Sequence, residues 1–251
     1  MPNKKAALEQ IEALIRNKIE TKLQDYASET EYSPFFDAVF GRETVVKASV
    51  MLSMYTSFGM SVYEQMAVIL ATNAGYTAQR QYTLLGSIDA ATEALILELC
   101  RTEAASKAAE VDRIRKSIKP GSREKDDESC VDVFVKKPNG EELYIDITTV
   151  KPNLKEFRSL RRKMLRWAAL RFSQNKSAAV RTCIGIPYNP YHPQPYERWT
   201  GQRTSKDEVL VQNDLWREFA GYDVFPDLLK VFAGVGEDMQ KRIRSFLDRR
   251  R

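Results

Sequence analysis

Histidine is all but absent from this chain of 251 residues, with His192 as the one copy. A Ser-His-Asp triad or a multi-histidine metal cage would have to be built on that residue alone, which disfavours both. Cysteine is nearly as scarce. Cys100, Cys130 and Cys183 are widely spaced and form no C-x-x-C pair, so buried, reduced thiols are expected in place of a disulfide framework or a zinc cage. No run of about 18 apolar residues occurs, which speaks against a membrane-spanning helix. The start, MPNKKAALEQ, has no apolar signal-peptide core, and a cytoplasmic protein is the expectation. Internal repeats and low-complexity tracts are missing as well.

What is present is an ordinary globular composition, 43% hydrophobic and 29% charged, in a chain long enough for a full core. The net charge of +5 leans towards an anionic partner without naming one. Leu8, Ile11, Ile15, Ile19 and Leu23 recur at helical spacing and predict an amphipathic helix from Lys4 to about Ser28. Ser33-Pro34 opens a short helical turn that Gly41 ends. A helix follows over about Glu43–Phe58, Gly59 interrupts it, and Ser61-Val62-Tyr63-Glu64 has capping-box spacing for the next. A long helix is expected from about Asp89 to Lys116.

The character then changes to strands over Cys130–Lys137 and Glu141–Thr149. A basic helix over about Asn153–Asn175, a buried strand over Ala178–Pro187, a short strand near Val209–Val211 and small helices complete the pattern. The expected fold is α/β: a mixed central sheet flanked by helices, after an N-terminal helical region. The division falls near residue 120, giving 1–120 as a helical region and 121–251 as the core with C-terminal helices, unless the two form one compact domain.

The turn Lys137-Pro138-Asn139-Gly140-Glu141 predicts a three-residue hairpin loop, a type I turn closed by a glycine bulge. In that register Asp132 faces Asp146, Phe134 faces Tyr144 and Cys130 faces Thr148. One face then carries Val131, Val133, Val135, Leu143, Ile145 and Ile147, all apolar. The other carries Asp132, Asp146, Thr148, Phe134 and Tyr144. Facing residues lie about 4.5–5.5 Å apart at Cα, and like charges there repel. A hard divalent cation such as Mg²⁺ between the two carboxylates relieves the repulsion. The same pattern also suits the solvated face of an edge hairpin.

An aspartate on one strand, an acidic residue opening D-x-T on the next, then a helix and a further strand, resembles the plan of PD-(D/E)-x-K nucleases. Within that superfamily the chain resembles the TdeIII family of Type II restriction endonucleases. The likeness rests on SMYTSFGMSVYEQMAVILA, CVDVFV, YIDITTVKPN, KMLRWAALRFSQ and IPYNPYHPQPYERW. It implies Mg²⁺-dependent cleavage of both strands of duplex DNA at a short interrupted palindrome, by a homodimer paired with a DNA methyltransferase. Asp132 and Asp146 match the metal ligands. Thr148 stands where the motif has lysine, so Lys151 or Lys163 is expected to take over that role. If neither reaches, an inactive DNA-binding protein is the alternative reading.

Arg158, Arg162, Lys163 and Arg166 on the following helix are candidate phosphate contacts, or else a solvated charged face. Tyr188, Asn189, Tyr191 and His192 lie in a stretch holding four of the ten prolines. They form a rigid loop to set on DNA, or a strap over the core. The resemblance also implies an upstream glutamate, with Glu93, Glu98, Glu103 and Glu110 as candidates.

Overall fold

The computed structural model describes residues 3–25, 33–102, 106–148, 150–197 and 206–249. The expected end of the first helix near Ser28, the acidic candidate Glu103, and Thr149 at the end of the second predicted strand lie outside the described residues. Helix α1 (Lys4–Asp25) buries Ile11, Ile15 and Ile19 along the expected stripe. Next come α2 (Pro34–Phe40) and α3 (Arg42–Ser57), with Gly41 between them at φ +79°.

Gly59 does not break the chain's helical course. A π-helical turn over Phe58–Val62 carries α3 directly into α4 (Tyr63–Asn73). The expected capping box at Ser61 is therefore absent, because a residue inside a continuous helix has no free N-terminal amides to cap. The Ser61 hydroxyl donates to the Ser57 carbonyl at 3.2 Å instead, and Glu64 is left free to face inward.

Strand β1 (Thr77–Leu85) was not expected from the sequence. Its segment Thr77-Ala78-Gln79-Arg80-Gln81-Tyr82 is mostly polar, and its strand state comes from pairing with β2 (Lys125–Lys136). The expected long helix is two helices, α5 (Ala90–Arg101) and α6 (Lys107–Ser117). Each has its own side-chain cap, Asp89 accepting from the Thr92 amide and Ser106 from the Ala109 amide, both at 3.1 Å. Strand β3 (Glu141–Ile147), α7 (Leu154–Gln174), β4 (Ala179–Ile186), β5 (Val209–Val211), α8 (Asn213–Ala220) and α9 (Phe225–Asp248) follow.

The strands form one sheet in the order β1-β2-β3-β4-β5, antiparallel from β1 to β3 and parallel from β3 to β5. The hairpin has the expected three-residue loop: Val133 pairs with Ile145, Phe134 with Tyr144 and Val135 with Leu143, and Gly140 takes φ +87°. The β2–β3 ladder ends at Val133–Ile145, short of the expected Asp132–Asp146 and Cys130–Thr148 pairs, and Cys130 pairs with Thr83 of β1. Helices cover both faces. Residues of α1, α4, α8 and α9 pack on Val133, Val135, Leu143 and Ile145, while α7 covers Tyr144, Leu84 and Ile184, with α5 and α6 behind it. The face expected to be chemical and open is therefore roofed by a helix, and Tyr144 is part of the core.

Behind α7 lies a buried ionic quartet. Arg161 bonds Glu110 of α6 and Glu208 before β5, and Lys107 also bonds Glu208. All four residues are buried. Removing one cation leaves a buried carboxylate uncompensated, so Arg161→Ala should lose about 3–5 kcal/mol of stability. Urea unfolding of the variant checks this, and a loss under about 1 kcal/mol would remove the quartet's structural role.

Candidate active site

Helix α7 is laid antiparallel along β3, and three polar contacts mark the alignment. At its start, Asn153 and Glu156 form a capping box, and the Thr148 hydroxyl donates to Glu156 at 3.0 Å. Midway, the Lys163 ammonium donates to the Asp146 carboxylate. Near the end, Arg171 Nε donates to Glu142 at 2.6 Å. The lengths agree: the 15-residue step from Glu156 to Arg171 rises about 22 Å in a helix, and the six-residue step from Thr148 to Glu142 spans about 20 Å in a strand. Glu142, Tyr144, Asp146 and Thr148 alternate onto one face by the strand period of two, as the sequence implies.

Asp132 sits where the sheet's alternation inverts. Val133 and Val135 face the α1–α4 side, yet Val131 joins Tyr82 on the α7 side. Opposite this point on β1, Gln81 adopts φ +48°, a left-handed conformation uncommon for glutamine. The half-buried Asp132 carboxylate accepts the Ile147 amide at 2.9 Å, replacing the ladder bond. It lines a cleft of ≈ 770 Å³ with Glu64, Gln81, Thr148, Tyr63 and Tyr188. Burial, and then the neighbouring Asp146 charge, raise the Asp132 carboxyl from 3.8 to about 7. Burial pulls the Lys163 ammonium down, but the Asp146 charge and hydrogen bond outweigh it and hold its pKa above the ordinary value.

Sequence reasoning missed Glu64. It is buried, accepts from Arg80 Nε and Gln81 Nε2 at 3.1 Å each, and its charge adds to the upward shift of Asp132. A single acid in the apolar run of α4 was the available signal, obscured by the apparent capping box. Glu93, Glu98 and Glu110 lie elsewhere, paired with Arg162 and Arg166, Arg113, and Arg161 respectively.

The other expected site residues divide. Lys151 is exposed, with its ammonium 5.5 Å from the Tyr191 ring centre. Thr148 lines the cleft, but its hydroxyl serves the α7 cap. Arg166 is buried against Glu93, Asp126 and Glu128, and the partly exposed Arg162 binds Glu93 and Glu128, so both are engaged in one ion network. Arg158 is exposed on α7. Tyr188 and His192 are exposed on the proline-rich loop, whereas the Asn189 amide donates to the Gln194 carbonyl at 2.7 Å and shapes that loop.

The donors around Asp132 are oxygens, which suits a hard cation such as Mg²⁺. Among the described residues, no three His, Cys, Asp or Glu side chains gather closely enough to enclose an ion. Asp132 and Asp146 lie close enough for the Asp146 charge to raise the Asp132 carboxyl, and such a pair suits a hard cation whose shell water and phosphate oxygens complete.

Residues 3–236 match the family described as "Type II restriction endonuclease, HinfI". The chain is also similar to the Type II restriction enzyme HgiCII of Herpetosiphon aurantiacus, at 21% identity over 87% of this chain and 82% of that protein.

The raised Asp132 pKa has a signed consequence. Its folded value lies above the unfolded one, so the folded state holds a proton the unfolded state releases between about pH 4 and 7. Stability of the metal-free protein should fall across that window, by on the order of 2–4 kcal/mol from this group. Asp132→Asn should flatten the decline, raising Tm at pH 8 but not at pH 4. Parallel Tm-versus-pH curves for the two proteins in EDTA would contradict the shift.

Proposed function

The chain belongs to the HinfI family of Type II restriction endonucleases, and from that premise we propose that it hydrolyses both strands of duplex DNA at Asp132, Asp146 and Lys163. The target is a short palindrome interrupted at its centre, and the reaction depends on Mg²⁺. The arrangement is a PD-(D/E)-x-K site with a displaced lysine, akin to the TdeIII-type enzymes whose sequence blocks the chain resembles. The observation that carries this reading is the Lys163 ammonium on the Asp146 carboxylate.

Asp132 and Asp146 would hold Mg²⁺, which when bound lowers the pKa of the attacking water and neutralises charge at the scissile phosphate. Lys163 adds a fixed positive charge at the same place, and Asp146 keeps it there. Glu64, anchored by Arg80 and Gln81, stands beside Asp132 as a further acceptor to orient water. In-line attack leaves 5′-phosphate and 3′-hydroxyl ends. Arg158, exposed on α7, and the loop bearing Tyr188, Tyr191 and His192 would meet the duplex.

A palindromic target implies two copies related by a two-fold axis. A methyltransferase of the same specificity would protect the cell's own DNA, and the enzyme would work in the cytoplasm. In keeping with that, no helix among the described residues is long and apolar enough to cross a membrane.

Incubation with unmodified plasmid tests the proposal: discrete fragments with Mg²⁺ and none with EDTA are expected. Lys163→Ala should lower the cleavage rate at least about 100-fold, the scale for loss of one charge-stabilising donor. Lys151→Ala should stay within a few-fold of the parent. A gel shift without cleavage would point instead to an inactive DNA-binding protein. Full cleavage by Lys163→Ala would remove the displaced-lysine assignment.

A further inference from the structure

Helix α3 is apolar on two sides. Its inner side is accounted for, since Val50 and Met54 pack on Phe246 of α9. Its outer side carries Leu52 and Tyr55, and the adjoining α2 carries Phe35, Phe36, Val39 and Phe40. These six side chains are between 59% and 86% exposed, and α2 has no buried residue at all. A seven-residue helix does not hold its shape in water through hydrogen bonds alone. A helix that is apolar all round is ordinarily buried all round.

The patch is large enough to matter. Four aromatic side chains of about 150–250 Å² each, exposed to that degree with Val39 and Leu52 between them, present roughly 800 Å². The largest apolar patch on a typical monomer is about 300–600 Å², whereas a standard interface takes about 800 Å² from each partner.

Charge decides what covers it. The cations of α2 and α3 are Arg42 and Lys47, and both are neutralised: Arg42 by Asp37 at 3.2 Å, Lys47 by Glu43 at 2.8 Å and Asp248 at 3.4 Å. A nucleic-acid surface needs uncompensated cations, and this face offers none from α2 or α3. A neutral, aromatic-rich, self-complementary face suits a copy of itself. The face is also continuous with the catalytic cleft, because Tyr55 belongs to the patch and to the cleft lining.

We propose that the outer face of the α2–α3 hairpin, centred on Phe36, Phe40, Leu52 and Tyr55, is the two-fold interface between copies of this chain. Two strands and one cleft per chain require two copies, so the choice of partner rests on the nuclease reading above. Through Tyr55 the interface borders both clefts and sets their separation across the duplex.

Sedimentation velocity of the full-length chain at micromolar concentration tests the surface. The parent should run as a dimer of the 28.8 kDa chain, and the double variant Phe36→Asp with Leu52→Asp as a monomer. The variant's Tm should not fall below that of the diluted parent, since neither side chain is in the core. As a second probe, Leu52→Cys treated with a short bis-maleimide should give a covalent dimer well above the yield from the unmodified chain. A parent that sediments as a monomer, a double variant that remains dimeric, or no added cross-link at Leu52→Cys would each overturn the interface. Plasmid cleavage run in parallel separates the two readings. Dimeric parent protein without Mg²⁺-dependent cleavage sinks the nuclease reading alone, and a cleaving monomer sinks the interface alone.

Discussion

Helix α7 lies along β3 in a single alignment because three unlike polar contacts must be met at once. Thr148 with Glu156, Asp146 with Lys163, and Glu142 with Arg171 are spaced so that a helical rise and a strand rise cover the same distance. Sliding the helix by one turn, about 5.4 Å, would leave Asp146 and Glu142 buried without cations, and uncompensated buried charge is strongly destabilising. Apolar packing of Phe157, Met164 and Trp167 on Tyr144 supplies adhesion without direction. The ion pairs supply the register. The candidate catalytic lysine is thus positioned by the same contacts that seat the helix, and the Thr148 hydroxyl ties down the helix start.

The basic character of α7 has a different meaning from the one its composition suggests. Arg161, Arg162, Arg166 and Arg171 all point at carboxylates of the protein itself. Buried arginine suits this use, since its planar fork can satisfy two acids at once. A net charge of +5 on the whole chain therefore overstates what α7 can offer to DNA. Near the cleft the charge balance is reversed, with the carboxylates of Asp132, Asp146 and Glu64 set against Lys163 and Arg80. Burial first, and then that acidic excess, raises the Asp132 carboxyl.

Three departures from regular geometry meet at the same place. Gln81 at positive φ, the inverted alternation across Asp132 and the π-helical turn before Glu64 are separate departures from regular geometry, and all three border one cleft. Together they aim Asp132, Gln81 and Glu64 from a strand, a strand and a helix at a common space that regular elements would leave apart. The fold tolerates them because both faces of the sheet are packed.

The loop-end register of the hairpin, most of the apolar face of β2 and β3, and the extent of α7 were legible in the sequence because local chemistry decides them. Pro138-Asn139-Gly140 with the alternation on either side favours the three-residue loop, and a period of two or 3.6 names the buried side. Asp132 and Asp146 stood out for the same reason. The rest waited for tertiary structure. Strand β1 has no apolar alternation and exists by virtue of its pairing partner. Glu64 resembled a cap until the helix proved continuous through Gly59. Lys163 was one lysine among several until the spacing of three polar contacts set it on Asp146 and turned Lys151 towards Tyr191. Sequence carries periodicity and turn chemistry, which are short-range. Which cation meets which acid depends on how a helix docks on a strand, and that is settled by buried charges that must all be satisfied together.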